Sequence, residues 1–477
     1  MGSNQKEKAM SIKSFKRSSG SLMLAVFAAA ALTTWTVPVS AELSFSDVSA
    51  DTAFARDRPQ VAKDADGNYH IVYRMGDAGV ELDSSASGAN VGYMMVAKNG
   101  DVLIDEVKLT ADGTVNISTA DVEVGSDGKV YVSFHFRSAA NMQLIKLDPS
   151  LAPQDGTAPV LATITDVAAV NVTGSFNHPF IELDDADNVY IWSHNGNFAK
   201  YDSSLTEVVA VTQPLSGVSK NGHSTSPMAL DSDGNVHVVF QDCDANLCTV
   251  SYAMLDGTDG SVLIDQTNVI TEVLSTDQGS STDVGDAPHA VHYNIMVDSK
   301  DKVSLVWVDK RNTPIWDDYC EVCASGGTLY FAKLDPSLDD QDGSAADMTV
   351  IKTVDDVALG PYKYVQAYMG KNNTVNIFFG ARGGMSHIRV NGSGKATPAA
   401  LLATNAVGFG GWNKHYPAAM AEDGRLFWPM VVNGDDGAGS KIVMGKVSLG
   451  GGGGGSTAPA LLLLVMGAAA LRRRMAH

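Results

Sequence analysis

Residues 58–74 read RPQVAKDADGNYHIVYR. An apolar stretch runs into a turn of Asp, Gly and Asn, and an alternating stretch ending in aromatic residues follows. Such a turn between apolar runs is hairpin chemistry, because Gly accepts positive φ and Asp and Asn bond the backbone just ahead of them. The phrase recurs six times: TADVEVGSDGKVYVSFH (119–135), HPFIELDDADNVYIWSH (178–194), TSPMALDSDGNVHVVFQ (225–241), HYNIMVDSKDKVSLVWV (292–308), YVQAYMGKNNTVNIFFG (364–380) and HYPAAMAEDGRLFWPMV (415–431). Gly67, Gly128, Asp187, Gly234, Asp301, Asn373 and Gly424 are the equivalent turn residues, spaced by 61, 59, 47, 67, 72 and 51 residues.

A third strand follows in several copies, at Gly92–Val96, Gln143–Leu147 and Leu329–Leu334. A fourth is expected at Val102–Ile104, Val160–Ala162 and Val350–Ile351. Four antiparallel strands per repeat of this length make a propeller blade. No long segment has helical periodicity. The fold class is therefore all-β: a seven-bladed β-propeller of four-stranded antiparallel blades over residues 42–449. The seventh copy lacks a fourth strand of its own. The spare segment Glu42–Asp47 is expected to supply it and close the ring, which removes open sheet edges.

The ends read as processing signals. Lys13, Lys16 and Arg17 precede an apolar run from Leu22 to Leu32, and Val39-Ser40-Ala41 offers small residues for cleavage. Residues 1–41 are expected to be a secretory signal peptide. Residues 450–457 form a glycine-rich linker, and 458–477 carry an apolar run ending in Arg472-Arg473-Arg474. That order resembles the GlyGly-CTERM sorting tails of Gram-negative bacteria. The resemblance implies recognition in the inner membrane, cutting by a rhomboid-type protease, and delivery to the cell surface or the medium. A retained membrane anchor is the alternative.

Of 477 residues, 34 are basic and 54 acidic. Setting aside five basic and one acidic residue before Glu42, and the three tail arginines, leaves 26 basic against 53 acidic, a net charge of −27. Such a surface repels nucleic acid and anionic membranes. The chain is expected to be a monomer.

Aligning the copies brings two columns of residues to one rim, where the first strand starts and the second ends. Nine residues before each turn stand Arg58, Thr119, His178, Thr225, His292, Tyr364 and His415. Seven after it stand Arg74, His135, His194, Gln241, Val308, Gly380 and Val431. Five His and two Arg in these fourteen places exceed chance in a chain so poor in both. A channel mouth carrying ionisable groups is the default site. Arg and His suit an anionic ligand, since Arg pairs carboxylate bidentately and His titrates near neutrality. Arg58, Arg74, His135, Gln241, His292, Tyr364 and His415 are the expected ligand contacts. The expected partner is an anionic polysaccharide.

The body resembles secreted bacterial propellers of the BNR-like kind, in the tracts VWVDKRN (306–312) and LYFAKLDPSL (329–338); the sialidase Asp-box is absent. It also looks like the seven-bladed polysaccharide lyases of the ulvan-lyase type. That resemblance implies β-elimination, with His178 and His194 as one catalytic pair and Tyr293 and Arg311 as a second. Here the histidines are closer in sequence than in the family, and the second pair lies two blades on. Arg311 has a competing role, bridging Asp309 within its loop. Oligogalacturonate-lyase propellers would instead imply a rim metal, for which no ligand spacing stands out. The rival to a lyase is a non-catalytic propeller that binds glycan or protein.

Cys243 and Cys248 lie in one loop and Cys320 and Cys323 in the next blade. In an exported chain four cysteines read as two disulfides, Cys243–Cys248 and Cys320–Cys323. A four-thiolate structural zinc is the alternative, which the resemblance to ulvan lyases also allows. The turns DADGN (64–68) and DSDGN (231–235) raise calcium as a second metal, but their recurrence favours hairpin turns.

Overall fold

The computed structural model describes residues 43–47, 56–76, 89–110, 117–136, 141–149, 168–173, 178–216, 218, 224–244, 247–268, 291–309, 328–336, 365–381, 384–397, 400–404, 419–420, 425–433 and 440–448. These residues form seven four-stranded sheets. The sheet of repeat one runs Arg56–Lys63, Tyr69–Met75, Asn90–Val96, Val102–Lys108. Repeat two follows with Ile117–Val124, Val130–Phe136, Asn141–Leu147, Ala168–Thr173. Its fourth strand is thus Ala168–Thr173; the expected Val160–Ala162 lies outside the described residues. Repeat three has Pro179–Leu183, Val189–Ser193, Phe198–Tyr201, Glu207–Thr212. Repeat four has Met228–Leu230, Val236–Asp244, Leu247–Leu255, Val262–Asn268, and repeat six Val365–Gly370, Thr374–Ala381, Gly384–Val390, Ala400–Thr404. Every neighbouring pair in these five sheets is antiparallel.

Two sheets borrow a strand. In repeat seven, Ala419–Met420, Arg425–Asn433 and Ser440–Ser448 are joined by Leu43–Asp47, with Leu43 opposite Val447 and Asp47 opposite Val443. In repeat five, Val291–Val297, Val303–Asp309 and Thr328–Leu334 are joined on the inner edge by Ser224–Ser226. That strand is parallel, with Ser224 opposite Tyr293. The expectation of wholly antiparallel blades is corrected here. The start of the repeat-four phrase swings over to the next sheet before Met228 joins its own.

Consecutive sheets bury their faces against each other. Val72, Val91 and Tyr93 of repeat one pack on Ala120, Val122 and Phe134 of repeat two. Tyr131 and Leu144 meet Ile181 and Ile191 of repeat three, and Trp192 and Phe198 meet Val238 and Phe240 of repeat four. Both faces of a middle strand are thus covered, which is why Tyr69–Met75 is buried at all seven residues although its pattern alternates. All described strands belong to one compact unit, Ser40–Gly454.

The turn residues behave as the repeat demands. Gly67, Gly128, Asp187, Gly234, Asp301 and Asn373 all have φ between 56 and 86°. In the DADGN turn, Asp64 Oδ1 accepts from the Asn68 amide at 2.7 Å and Oδ2 from Asn68 Nδ2 at 2.9 Å. His70 Nε2 reaches the same Oδ2 at 3.3 Å, and Nδ1 meets Tyr93 Oη at 2.8 Å. A carboxylate only accepts, so Nε2 carries a proton. Asp231, Asn235, His237 and Tyr252 repeat this set in the DSDGN turn. Burial would raise the Asp64 carboxyl, but bonds from His70 and Asn68 outweigh it and hold it at about 2. These aspartates serve their turns. Among the described residues no group of three His, Cys, Asp or Glu is arranged to hold a metal.

Lysines tie successive sheets. Lys146, Lys200 and Lys333 each leave a third strand and donate to the backbone of the next repeat, at Ser203 O (3.0 Å), Gly257 O (2.8 Å) and Gly392 O (2.7 Å).

Candidate functional site

The rim columns are cross-strand neighbours. Pro179 pairs with Ser193, which sets His178 and His194 side by side at the rim of repeat three. Their rings stack with centroids 4.9 Å apart and planes 19° apart. Phe180 backs His194 at 5.4 Å. His178 holds a backbone φ of 50°, a left-handed conformation costly for a side chain with a Cβ. His194 is buried and His178 half-buried, so the pair opens to solvent on the His178 side.

A tight turn fixes His194. Ser193 Oγ donates to Asn195 Oδ1 at 2.5 Å and accepts from the Asn197 amide at 3.1 Å. The Gly196 amide donates to Ser193 O at 2.9 Å. Gln213 Nε2, from beyond the fourth strand, donates to Asn195 O at 2.9 Å. None of these supports stands in a rim column.

In repeats one, two and five the first strand carries an extra residue at the rim: the register slips between Asp57 and Gln60, Ile117 and Ala120, and Val291 and Asn294. Each is a β-bulge, which re-aims the side chains it contains. Tyr293 lies inside one. Its ring is 1 % exposed and packs with Val239, Tyr252 and Trp307 in the core between repeats four and five. That packing places its ring between the sheets of repeats four and five. Arg74 is likewise 1 % exposed and donates to Ile117 O of the next repeat at 3.4 Å. That bond bridges two sheets. His135 is buried at the equivalent place in repeat two, beside Thr119, whose buried Oγ1 finds no hydrogen-bond partner among the described residues.

The remaining expected residues are less informative. Arg58, Gln241 and His292 lie in described strands, but their side chains are not among the described ones. Tyr364, His415, Arg311, Cys320 and Cys323 lie outside the described residues, as do the signal region and the tail. Cys243 and Cys248 stand directly opposite each other across a hairpin.

Two ionisable groupings escaped the sequence. At the rim of repeat one, Arg56 forks onto Glu106, Nε to Oε2 at 2.5 Å and Nη2 to Oε1 at 2.8 Å. Tyr73 Oη adds a bond to Glu106 at 2.6 Å, and its ring occupies the space a Cβ on Gly92 would need. Burial and the Glu106 charge push the Tyr73 phenol well up. Farther along the first strands, Asp121 and Glu123 of repeat two face Glu182 of repeat three. Burial and the Asp121 charge push Glu182 up to about 8. Burial and the Glu182 and Asp121 charges push Glu123 well up, and burial alone lifts Asp121 to about 6, although the Ile181 amide donates to it at 3.0 Å. Their signal in sequence is an acidic residue inside an otherwise apolar first strand.

No known protein family matches the chain. No curated protein matches it in sequence. Among solved structures, the polysaccharide lyase Uly1 aligns over 86% of this chain and 100% of its own, at 11% identity and a TM-score of 0.50. An α-L-arabinanase of Penicillium chrysogenum aligns over 85% and 99%, at 10% identity and a TM-score of 0.40. The endosialidase of phage phi92 aligns over 88% and 71%, at 10% identity and a TM-score of 0.41. At such identity the likeness is one of fold: the chain is an all-β propeller, similar in architecture to a polysaccharide lyase.

Proposed function

We propose that this chain is an exported, carbohydrate-active propeller that acts on anionic polysaccharide at the rim of repeat three, by β-elimination. The observation that carries the reading is the stacked pair His178 and His194 at the mouth of the sheet, one of them on a strained backbone. Strain of this kind persists where surrounding structure holds it, and it gathers at functional sites. Two imidazole rings whose centroids lie 4.9 Å apart can serve one substrate as proton acceptor and proton donor. That is the division of labour elimination needs. The neutral ring takes the C5 proton of a uronate, the electron pair forms the C4–C5 double bond, and the C4–oxygen bond breaks. The protonated ring supplies a proton to the departing oxygen. His135 of the neighbouring repeat two would face the uronate carboxylate.

The architecture proposed around that site is a ring of seven blades, with the pairing of Leu43–Asp47 on Ser440–Ser448 as its closure. Cys243 and Cys248 are directly opposed, a placement that suits a disulfide. Residues 1–41 would direct export, and the tail would be cut by a rhomboid-type protease at the inner membrane.

A second reading is a non-catalytic propeller that binds glycan. It is favoured by the burial of Tyr293 and Arg74, two side chains expected at the site, each 1% exposed. The test is ultraviolet absorbance from the unsaturated product, with alginate, polygalacturonate and ulvan as substrates. A signal lost in His194→Ala supports the lyase. Binding without any signal supports the second reading.

A further inference from the structure

We infer that the groove between the fourth strands of repeats three and four is a second subsite, which takes neutral sugar residues of the polysaccharide held at the histidine pair. The inference rests on the function proposed above. The groove encloses about 720 Å³ and is lined by Gln213, Leu215, Ser216, Val262, Leu263 and Asp265. Gln213 lines the groove and donates to Asn195 O at 2.9 Å, one residue beyond His194, so one side chain ties the groove to the turn that fixes the histidine.

The lining matches a pyranose without a carboxylate. Sugars present hydroxyl groups at the edge and C–H bonds on the face. Ser216 and the Gln213 amide offer polar contacts of both kinds. Val262 and Leu263 are 37% and 36% exposed, among the few large apolar side chains in the described residues to be so open. They offer an apolar surface to the C–H face. Asp265 sets the selectivity, because a carboxylate here repels a uronate and accepts from a hydroxyl. The histidine pair and the groove thus differ in charge preference. Together they fit a glycan that mixes uronate with neutral residues.

The experiment is affinity electrophoresis of the full-length protein through gels containing glucuronoxylan, which has a neutral backbone with uronate branches, or polygalacturonate, which is uronate throughout. Leu263→Asn strips the apolar surface and Ser216→Ile fills the groove; both positions are exposed, so neither change disturbs the core. Each variant is expected to bind glucuronoxylan about tenfold more weakly and polygalacturonate as before. His194→Ala should keep most of its affinity for glucuronoxylan. Unchanged retention of both groove variants on glucuronoxylan overturns the subsite and leaves the rim site standing. Equal losses on both polymers overturn the preference for neutral sugar. A wild-type protein retarded by neither polymer overturns the subsite and the proposed function together.

Discussion

Asp187 accepts two hydrogen bonds from Ser126, a residue of the preceding repeat: the amide reaches Oδ1 at 2.6 Å and the hydroxyl reaches Oδ2 at 3.0 Å. Ser232 does the same to Asp301, at 2.9 and 2.8 Å, and Ser299 Oγ donates to Asn373 at 3.0 Å. Each acceptor is the left-handed residue of its turn. Where the preceding turn has no serine at that place, the left-handed residue is glycine: Ala65 precedes Gly128 and Asp185 precedes Gly234. At these described anchor positions, a side chain with a Cβ takes the costly conformation where the preceding repeat's serine compensates for it.

Asp187→Ala should therefore destabilise the protein by about 2–3 kcal/mol, through two lost hydrogen bonds and a left-handed alanine. Asp187→Gly should cost only about 1 kcal/mol, because glycine removes the backbone penalty. In a Ser126→Ala background Asp187→Gly should be close to neutral. Thermal denaturation of the four proteins measures this coupling, and strictly additive effects would contradict it.

The carboxylates Asp121, Glu123 and Glu182 set the alkaline limit of stability. Glu182 binds its proton up to about pH 8 when folded and to 4.5 when unfolded. Between those values the folded chain holds more protons, so stability falls as pH rises. The melting temperature should decline from pH 5 to pH 9, and Glu182→Gln should flatten the decline and melt higher at pH 9. A Glu182→Gln curve parallel to wild type at every pH would remove these carboxylates as the cause.

His387 acts in the opposite sense. Burial against Phe378, with the Arg389 charge nearby, lowers its imidazole to about 3 from an ordinary 6.5. The unfolded chain then binds a proton that the folded one refuses, and stability falls as pH drops from 6.5 toward 3. His387→Phe should lessen the loss between pH 6 and pH 4. The readout is urea denaturation at the two pH values.

His178→Gly should separate folding from function. Glycine relieves the left-handed backbone, a gain of about 1 kcal/mol set against the lost ring stack. The variant should melt no lower than wild type and lose the product absorbance on polyuronates. A protein that keeps its activity would move the chemistry away from this pair.

The turns were legible in the sequence because Gly, Asp and Asn announce left-handed backbone, and the described anchors all adopt it. The histidine pair was legible for the same reason: repeat three has an unbroken register from turn to rim. The rim of repeat five was less legible, because counting back a fixed number of residues to His292 assumes strict alternation. A bulge inserts one residue and turns what precedes it to the other face. Nor does an alternating pattern reveal that Gln213, separated from His194 by two strands, steadies its turn. Such contacts are set by the sheet's lateral order, which local sequence does not encode.

The pairing of Leu43 with Val447 has a kinetic consequence. The first strand to emerge during synthesis or export must wait for the last, about 400 residues later, before it has a partner. Closing so long a loop is slow, and the terminal sheet is completed only when the chain is whole. Until then Leu43–Asp47 has no partner in that sheet, and an unpaired strand is the kind of surface that recruits chaperones or a second chain. Completing the last sheet therefore also marks the moment at which the protein is safe to release.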